Sequence, residues 1–139
     1  MGFFDLFAKP EPSPVVIIRN RVGEEIDRVE GVYDLSGQNL HGRNWSHADL
    51  SGLSLDGANC EGINLFGARL VKTSFCQTNL RGAEISFADA TGADFRHADL
   101  IDALMYRTET TLAHFEDSLL SESSDIPGRK VLATMRVIS

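Results

Sequence analysis

The chain is short of the residues on which most functional readings depend. Its 139 residues include two cysteines, Cys60 and Cys76, too few for a disulfide framework at this length, so a reducing compartment is expected. No apolar run approaches 18 residues, which excludes a spanning helix. Bases are outnumbered, 13 against 20 acids for a net charge of −7, which argues against direct nucleic-acid binding driven by counterion release from phosphates. Neither sign gathers into a tail. The start, Met1-Gly2-Phe3-Phe4-Asp5-Leu6-Phe7, lacks the basic region and long apolar stretch of a secretory leader, and Leu6 stands where a myristoylation site wants Ser or Thr. What remains, 42% hydrophobic and 24% charged residues, is the composition of one folded domain with short extensions.

A period of five dominates that domain. Counting in fives from Leu35 to Phe115 gives 17 positions, of which only Thr110 is not apolar. Two residues earlier in each unit stand small side chains, among them Ala48, Ala58, Ala68, Ala83, Ala88, Ala93, Ala98 and Ala103, with Thr73, Thr78 and Thr108 in the same phase. Two residues after the large apolar position comes glycine: Gly37, Gly42, Gly52, Gly57, Gly62, Gly67, Gly82 and Gly92. Two inward residues separated by one outward residue make a very short strand, and the next two make a corner. Five residues do not fit the 3.6 period of a helix. Four such sides return the chain above its start, so residues 20 apart should stack at a strand spacing of about 4.8 Å. Glycine corners are expected to be type II turns, which need a positive φ at their third residue. Corners at His47, Lys72, Gln77, Phe87 and His97 are expected to differ.

In Ala58-Asn59-Cys60-Glu61-Gly62, Ala88-Asp89-Ala90-Thr91-Gly92 and Ala98-Asp99-Leu100, the chain resembles the A(D/N)LxG unit of the pentapeptide-repeat family, without a gap over about 80 residues. The resemblance implies an all-β fold, a right-handed quadrilateral parallel β-helix of about four coils, and no catalytic activity common to the family. The expected organisation is an N-terminal docking arm and proline-rich linker over 1–14, a β-hairpin cap over 15–32, the β-helix over 33–117 and a C-terminal tail over 118–139. The hairpin reads from two β-rich segments around Asn20 to Glu24. The linker reads from Pro10, Pro12 and Pro14.

Stacking at 20 residues gives chemically compatible columns: Leu35, Leu55, Phe75, Phe95 and Phe115 inside; Asn39, Asn59 and Asn79 as an amide ladder outside; Asp49, Arg69 and Asp89 alternating in sign. One side breaks the pattern. Phe66 and Tyr106 point outward, Phe87 takes a glycine corner, and Leu104 replaces the usual Asn or Asp, which together form an exposed apolar patch. The patch is expected either to meet a partner or to be covered by the strand-like tail segment 130–138. Phe3, Phe4, Leu6 and Phe7 form a second apolar cluster, too short to fold alone.

Chemistry that converges is not expected. His41, His47 and His97 fall on three different outer sides and His114 lies at the coil's end, so neither a metal site nor a base–nucleophile pair is indicated. Cys60 reads as inert core and Cys76 as an exposed thiol. No cofactor, metal or small-molecule substrate is expected. The reading is therefore a non-catalytic interaction module joining a larger protein assembly or a homo-oligomer through Phe3, Phe4, Leu6, Phe7, Phe66, Phe87, Leu104 and Tyr106, in a bacterial cytoplasm or in a virion. Phage head fibres and virion accessories are among the roles the resemblance implies. The alternative it implies is a DNA-mimicking inhibitor of gyrase, which the acidity suits. About four coils, however, rise only about 19 Å, the length of about six base pairs.

Overall fold

The computed structural model describes residues 11–124, 126–127 and 136–138. The docking arm, with Phe3, Phe4, Leu6 and Phe7, lies outside the described residues, as do residues 128–135 of the tail.

Strand β1 (Val15–Asn20) and strand β2 (Glu25–Glu30) form an antiparallel hairpin with a register irregularity between Ile18 and Arg19. Side chains hold its turn: Asn20 Oδ1 accepts from the amides of Val22 and Glu24, at 3.1 and 2.9 Å, and Arg19 Nη1 donates to the Gly23 carbonyl at 3.1 Å. Gly23 supplies the positive φ, 92°. β1 also pairs antiparallel with β3 (Ala48–Asp49), through Arg19 with Asp49 and Asn20 with Ala48. The hairpin is thereby hydrogen-bonded to the start of the repeat region. Its inner face supplies Ile18 and Val29 to the core, and Asp27 accepts from the Trp45 indole at 2.6 Å and from Arg43 at 2.8 Å.

From Asn39 onward the chain is a parallel coil in which residue i bridges residue i+20, as in Asn39, Asn59, Asn79, Asp99 and Leu119 on one side and Asn44, Asn64, Glu84 and Leu104 on another. The period follows from packing. Every large apolar repeat residue from Leu35 to Met105 is buried, and the small residues two places earlier leave room for opposite walls to meet. Phe75, Phe95 and Phe115 stack nearly parallel, with ring centroids 5.2 and 4.9 Å apart. Threonines in the small phase keep the interior dry without an orphaned hydroxyl: Thr73 and Thr78 donate to the carbonyls of Leu50 and Leu55 at 2.8 Å, and Thr108 to Ile85 at 2.9 Å. Stacking runs one step past residue 117, because Leu119 bridges Asp99 and Leu120 is buried. There β4 (Leu119–Ser121) pairs in parallel with β5 (Arg136–Ile138).

The frequent Asn or Asp before each large apolar residue has a local cause. Its side-chain oxygen accepts from the amide two residues on, as Asn64 does from Phe66 at 3.0 Å and Asp89 from Thr91 at 3.1 Å. Each corner is a turn closed by a bond from residue i+3 to residue i, such as Ala48 N to Trp45 O at 3.0 Å. The corners do not divide by residue type. His47, Lys72, Gln77, Phe87 and His97 hold φ between 55° and 60°, in the same region as the glycines, and Asp102, Arg107, Leu112 and Asp117 join them. The expectation of a second turn type is therefore overturned. The physical reason is the turn itself, whose closure from residue i+3 to residue i is the same at every corner; at His47, Lys72, Gln77, Phe87 and His97 it also aims the corner amide at the next coil, as in His47 N to Phe66 O at 2.8 Å and Phe87 N to Tyr106 O at 2.9 Å.

Candidate functional site: an aromatic ladder on one side of the coil

The side built on Trp45, Leu65, Ile85 and Met105 buries those four residues and shows two outward columns. The first reads Ser46, Phe66, Ser86, Tyr106; the corner column beside it reads His47, Gly67, Phe87, Arg107. The rings come from alternate columns on successive coils and interlock. His47 meets Phe66 edge-on at 5.8 Å between centroids, Phe66 meets Phe87 at 5.4 Å, and Phe87 meets Tyr106 edge-on at 5.7 Å. The Arg107 guanidinium closes the row 5.6 Å from the Tyr106 ring centre, a cation–π distance. Phe66, Phe87 and Tyr106 nonetheless remain 38, 47 and 52% exposed.

Phe66, Phe87 and Tyr106 thus meet as one ladder. Leu104 stands beside them on the same side, exposed, in the rung below Glu84. Leu104 cannot accept from the Tyr106 amide as Asn or Asp would, and Ser86 Oγ, one coil above, accepts it at 3.2 Å. His47 was not expected in the site. Its ring lies over Gly67, where an added Cβ would sit 2.6 Å from Nδ1. Reading positions 46–47 and 66–67 as two stacked columns, with glycine below histidine, was the available signal.

Strand β5 extends β4, which belongs to the side carrying Asn39 to Asp99, not to the ladder side. The described end of the tail therefore does not cover the rings. Elsewhere on the surface, charges pair locally: Arg69 with Asp49 at 3.9 Å, Arg81 with Asp99 at 3.1 Å and Arg96 with Asp94 at 2.7 Å. Its bonds to Arg96 lower the Asp94 carboxyl more than burial raises it, and it ends below the usual carboxylate range. Burial alone pushes the Cys60 thiol up to about 12. Cys76 is half-buried rather than exposed, and burial with Asp94 and Asp56 nearby raises its thiol too. Neither is an activated nucleophile. Among the described residues no three His, Cys, Asp or Glu side chains gather to hold a metal, and no helix is long and apolar enough to cross a membrane.

This geometry defines a class: a β-helical solenoid with a packed interior and one apolar side. The family model for pentapeptide repeats matches eight copies, over residues 34–70 and 58–96, and the chain belongs to the pentapeptide-repeat family. Of solved structures, HetL from the cyanobacterium Nostoc sp. strain PCC 7120, a pentapeptide repeat protein involved in heterocyst differentiation regulation, is 27% identical with a TM-score of 0.62, over 67% of this chain and 43% of HetL. The chain thus spans less than half of HetL's length. That likeness gives the coil its right hand. A pentapeptide repeat protein of the Arabidopsis thaliana thylakoid lumen is 27% identical over 69% of this chain and 72% of that one, with a TM-score of 0.44. QnrB1, a plasmid-mediated fluoroquinolone resistance protein, is 16% identical over 76% of this chain and 90% of that one, with a TM-score of 0.28. These two share too little of the overall frame to bear on function. A search of curated proteins finds no match.

Proposed function

We propose that the protein is a non-catalytic interaction module that joins a larger protein assembly. Its ladder side, with Phe66, Phe87, Leu104 and Tyr106, is the docking surface; Phe3, Phe4, Leu6 and Phe7 form a second attachment on an arm, and the hairpin closes the first coil. The observation that carries this reading is the exposed ladder itself. Three large rings stand in mutual contact at outward positions of one side, where they gain about 0.5–1.5 kcal/mol per ring pair yet leave apolar area in water. A DNA-like role is not favoured, because Arg69, Arg81 and Arg96 interrupt the acids and pair with them.

The test is affinity capture with the full chain, the variant Phe66→Ser/Phe87→Gly/Tyr106→Ser and a chain lacking residues 1–14. Loss of captured partners in the triple variant is expected, with a smaller loss on removing the arm. Identical recovery by all three would sink the reading.

A further inference from the structure

We infer that the N-terminal arm of one copy of this chain docks in a groove between the hairpin and the coil of a second copy, and that the exchange is reciprocal. The inference rests on the reading of the arm as an attachment and names what it attaches to. The groove runs between Ile17, Arg19 and Arg21 of the hairpin and Asp49, Ser51 and Leu53 of the coil, with a volume of about 420 Å³. Binding clefts span about 300–1,000 Å³. Its apolar walls are open to an occupant, since Ile17 and Leu53 are each 37% exposed. Along β1 the neighbouring Ile18 is buried, so Ile17 and Arg19 share the outer face. Charge is the second observation. Arg28, Arg43, Arg69, Arg81 and Arg96 each lie within 4.0 Å of a carboxylate oxygen, whereas among the described residues neither Arg19 nor Arg21 has such a partner. Arg19 donates to the Gly23 carbonyl at 3.1 Å and keeps its other N–H groups. Asp49 is already held by the Ser51 amide at 3.1 Å and by Arg69 at 3.9 Å.

The groove thus calls for a carboxylate set among apolar side chains. Phe3-Phe4-Asp5-Leu6-Phe7 has that composition, one acid with two apolar residues on each side. Docked as a strand, it sets Asp5 against Arg19 and Arg21 and places Phe3 and Phe7, on the same face as Asp5, against Ile17 and Leu53. The ladder side suits this segment less well, because Glu84 stands in its first outward row and the Arg107 guanidinium already lies over Tyr106. The linker decides whose groove is filled. Glu11 and Ser13 each precede a proline and are held extended, and from Glu11 to Asn20 the chain makes no turn or bend. The linker therefore continues the line of β1 outward, whereas the hairpin residues of the groove lie from Ile17 onward, in the opposite direction. A proline-rich linker is semi-rigid, so it carries the arm away from its own groove and presents it to a neighbour. A two-fold axis that sets two β1 strands antiparallel lets each arm run along the partner's β1, and the exchange closes at two copies.

Sedimentation equilibrium of the full chain over about 1–300 μM should show a concentration-dependent dimer and nothing larger. The arm variant Phe3→Ser/Phe4→Ser/Leu6→Ser/Phe7→Ser, which leaves the body untouched, is expected to raise the dimer dissociation constant at least about tenfold, as is Asp5→Arg. The groove variant Ile17→Ser/Leu53→Ser, at two exposed positions, should keep its circular dichroism and weaken the dimer by a similar factor. An equimolar mixture of the arm and groove variants should form a heterodimer, because one intact arm still meets one intact groove. A wild-type monomer throughout the range, which is the result if the arm fills its own groove, would overturn the inference. So would a dimer indifferent to the arm variant, to Asp5→Arg or to the groove variant, or a mixture that does not associate. Failure here is distinguishable from failure of the docking reading: a wild-type monomer whose arm and ring variants still lose captured partners leaves that reading standing, whereas a monomer whose variants capture the same partners removes both.

Discussion

At nine corners a residue other than glycine sits in the left-handed region, at an intrinsic cost of about 1–2 kcal/mol each. At His47, Lys72, Gln77, Phe87 and His97 the bond of the corner amide to the next coil offsets that cost, and the strain remains available to mutation. Gln77 holds φ at 57°, so Gln77→Gly should raise stability by up to about 1 kcal/mol, once the extra freedom of glycine in the unfolded chain is subtracted. Urea unfolding measures it, and a loss of stability would show that the corner is not strained. Asp27 makes a second case. Burial raises its carboxyl, the bonds from Trp45, Arg43 and the Arg28 amide together lower it by more, and the net direction is down. A carboxyl lower in the folded than in the unfolded state contributes stability above its unfolded value near pH 4, and that contribution disappears as pH falls through the depressed folded value. Asp27→Asn should therefore lower stability at pH 7 and flatten the acid limb of a stability–pH profile. An acid limb unchanged from the wild type would remove Asp27 as a contributor.

At the scale of elements, the strands are too short to be stable alone, and the columns between coils take over the role that a longer strand has in a sheet. Phe95 shows this, being stacked on Phe75 above and Phe115 below. Phe95→Ala should cost about 3–5 kcal/mol, a large part of the roughly 5–15 kcal/mol that holds a domain together. Thermal unfolding by circular dichroism would show a sharply lowered midpoint; a small shift would mean that neighbouring coils collapse into the gap. The hairpin acts at the same scale. It places Ile18 and Val29 in the core and ties Asp27 to Trp45. Deleting residues 15–32 should uncover that end of the coil and its unpaired strand edges, and size-exclusion chromatography with light scattering should find aggregates. A folded monomer would make the hairpin dispensable.

Over the whole molecule, the interior has no other task than packing, and function falls to the surface. The repeat sides are polar and locally paired, and their acids mostly bond to their own coil or to neighbouring arginines. The ladder side departs from this rule at Phe66, Phe87, Leu104 and Tyr106. It lies one corner away from β3, where the hairpin pairs with the coil, and β5 extends a different side. The described ends of the chain therefore leave it open.

The sequence by itself determined the coil, because burial repeats every five residues and that period admits only short strands and corners. It also determined which residues share a column, since a 20-residue rung places Phe75, Phe95 and Phe115, or Asn39, Asn59 and Asn79, above one another. Tertiary structure decided the corners: the same turn closure recurs at every corner, with a positive φ at Phe87 and His47 as at glycine, and at those two the corner amide also bonds the next coil. It decided the site for the same reason. Phe66 and Phe87 occupy different phases of the repeat, and only the shared corner geometry swings the Phe87 ring back between Phe66 and Tyr106 and lays His47 over Gly67.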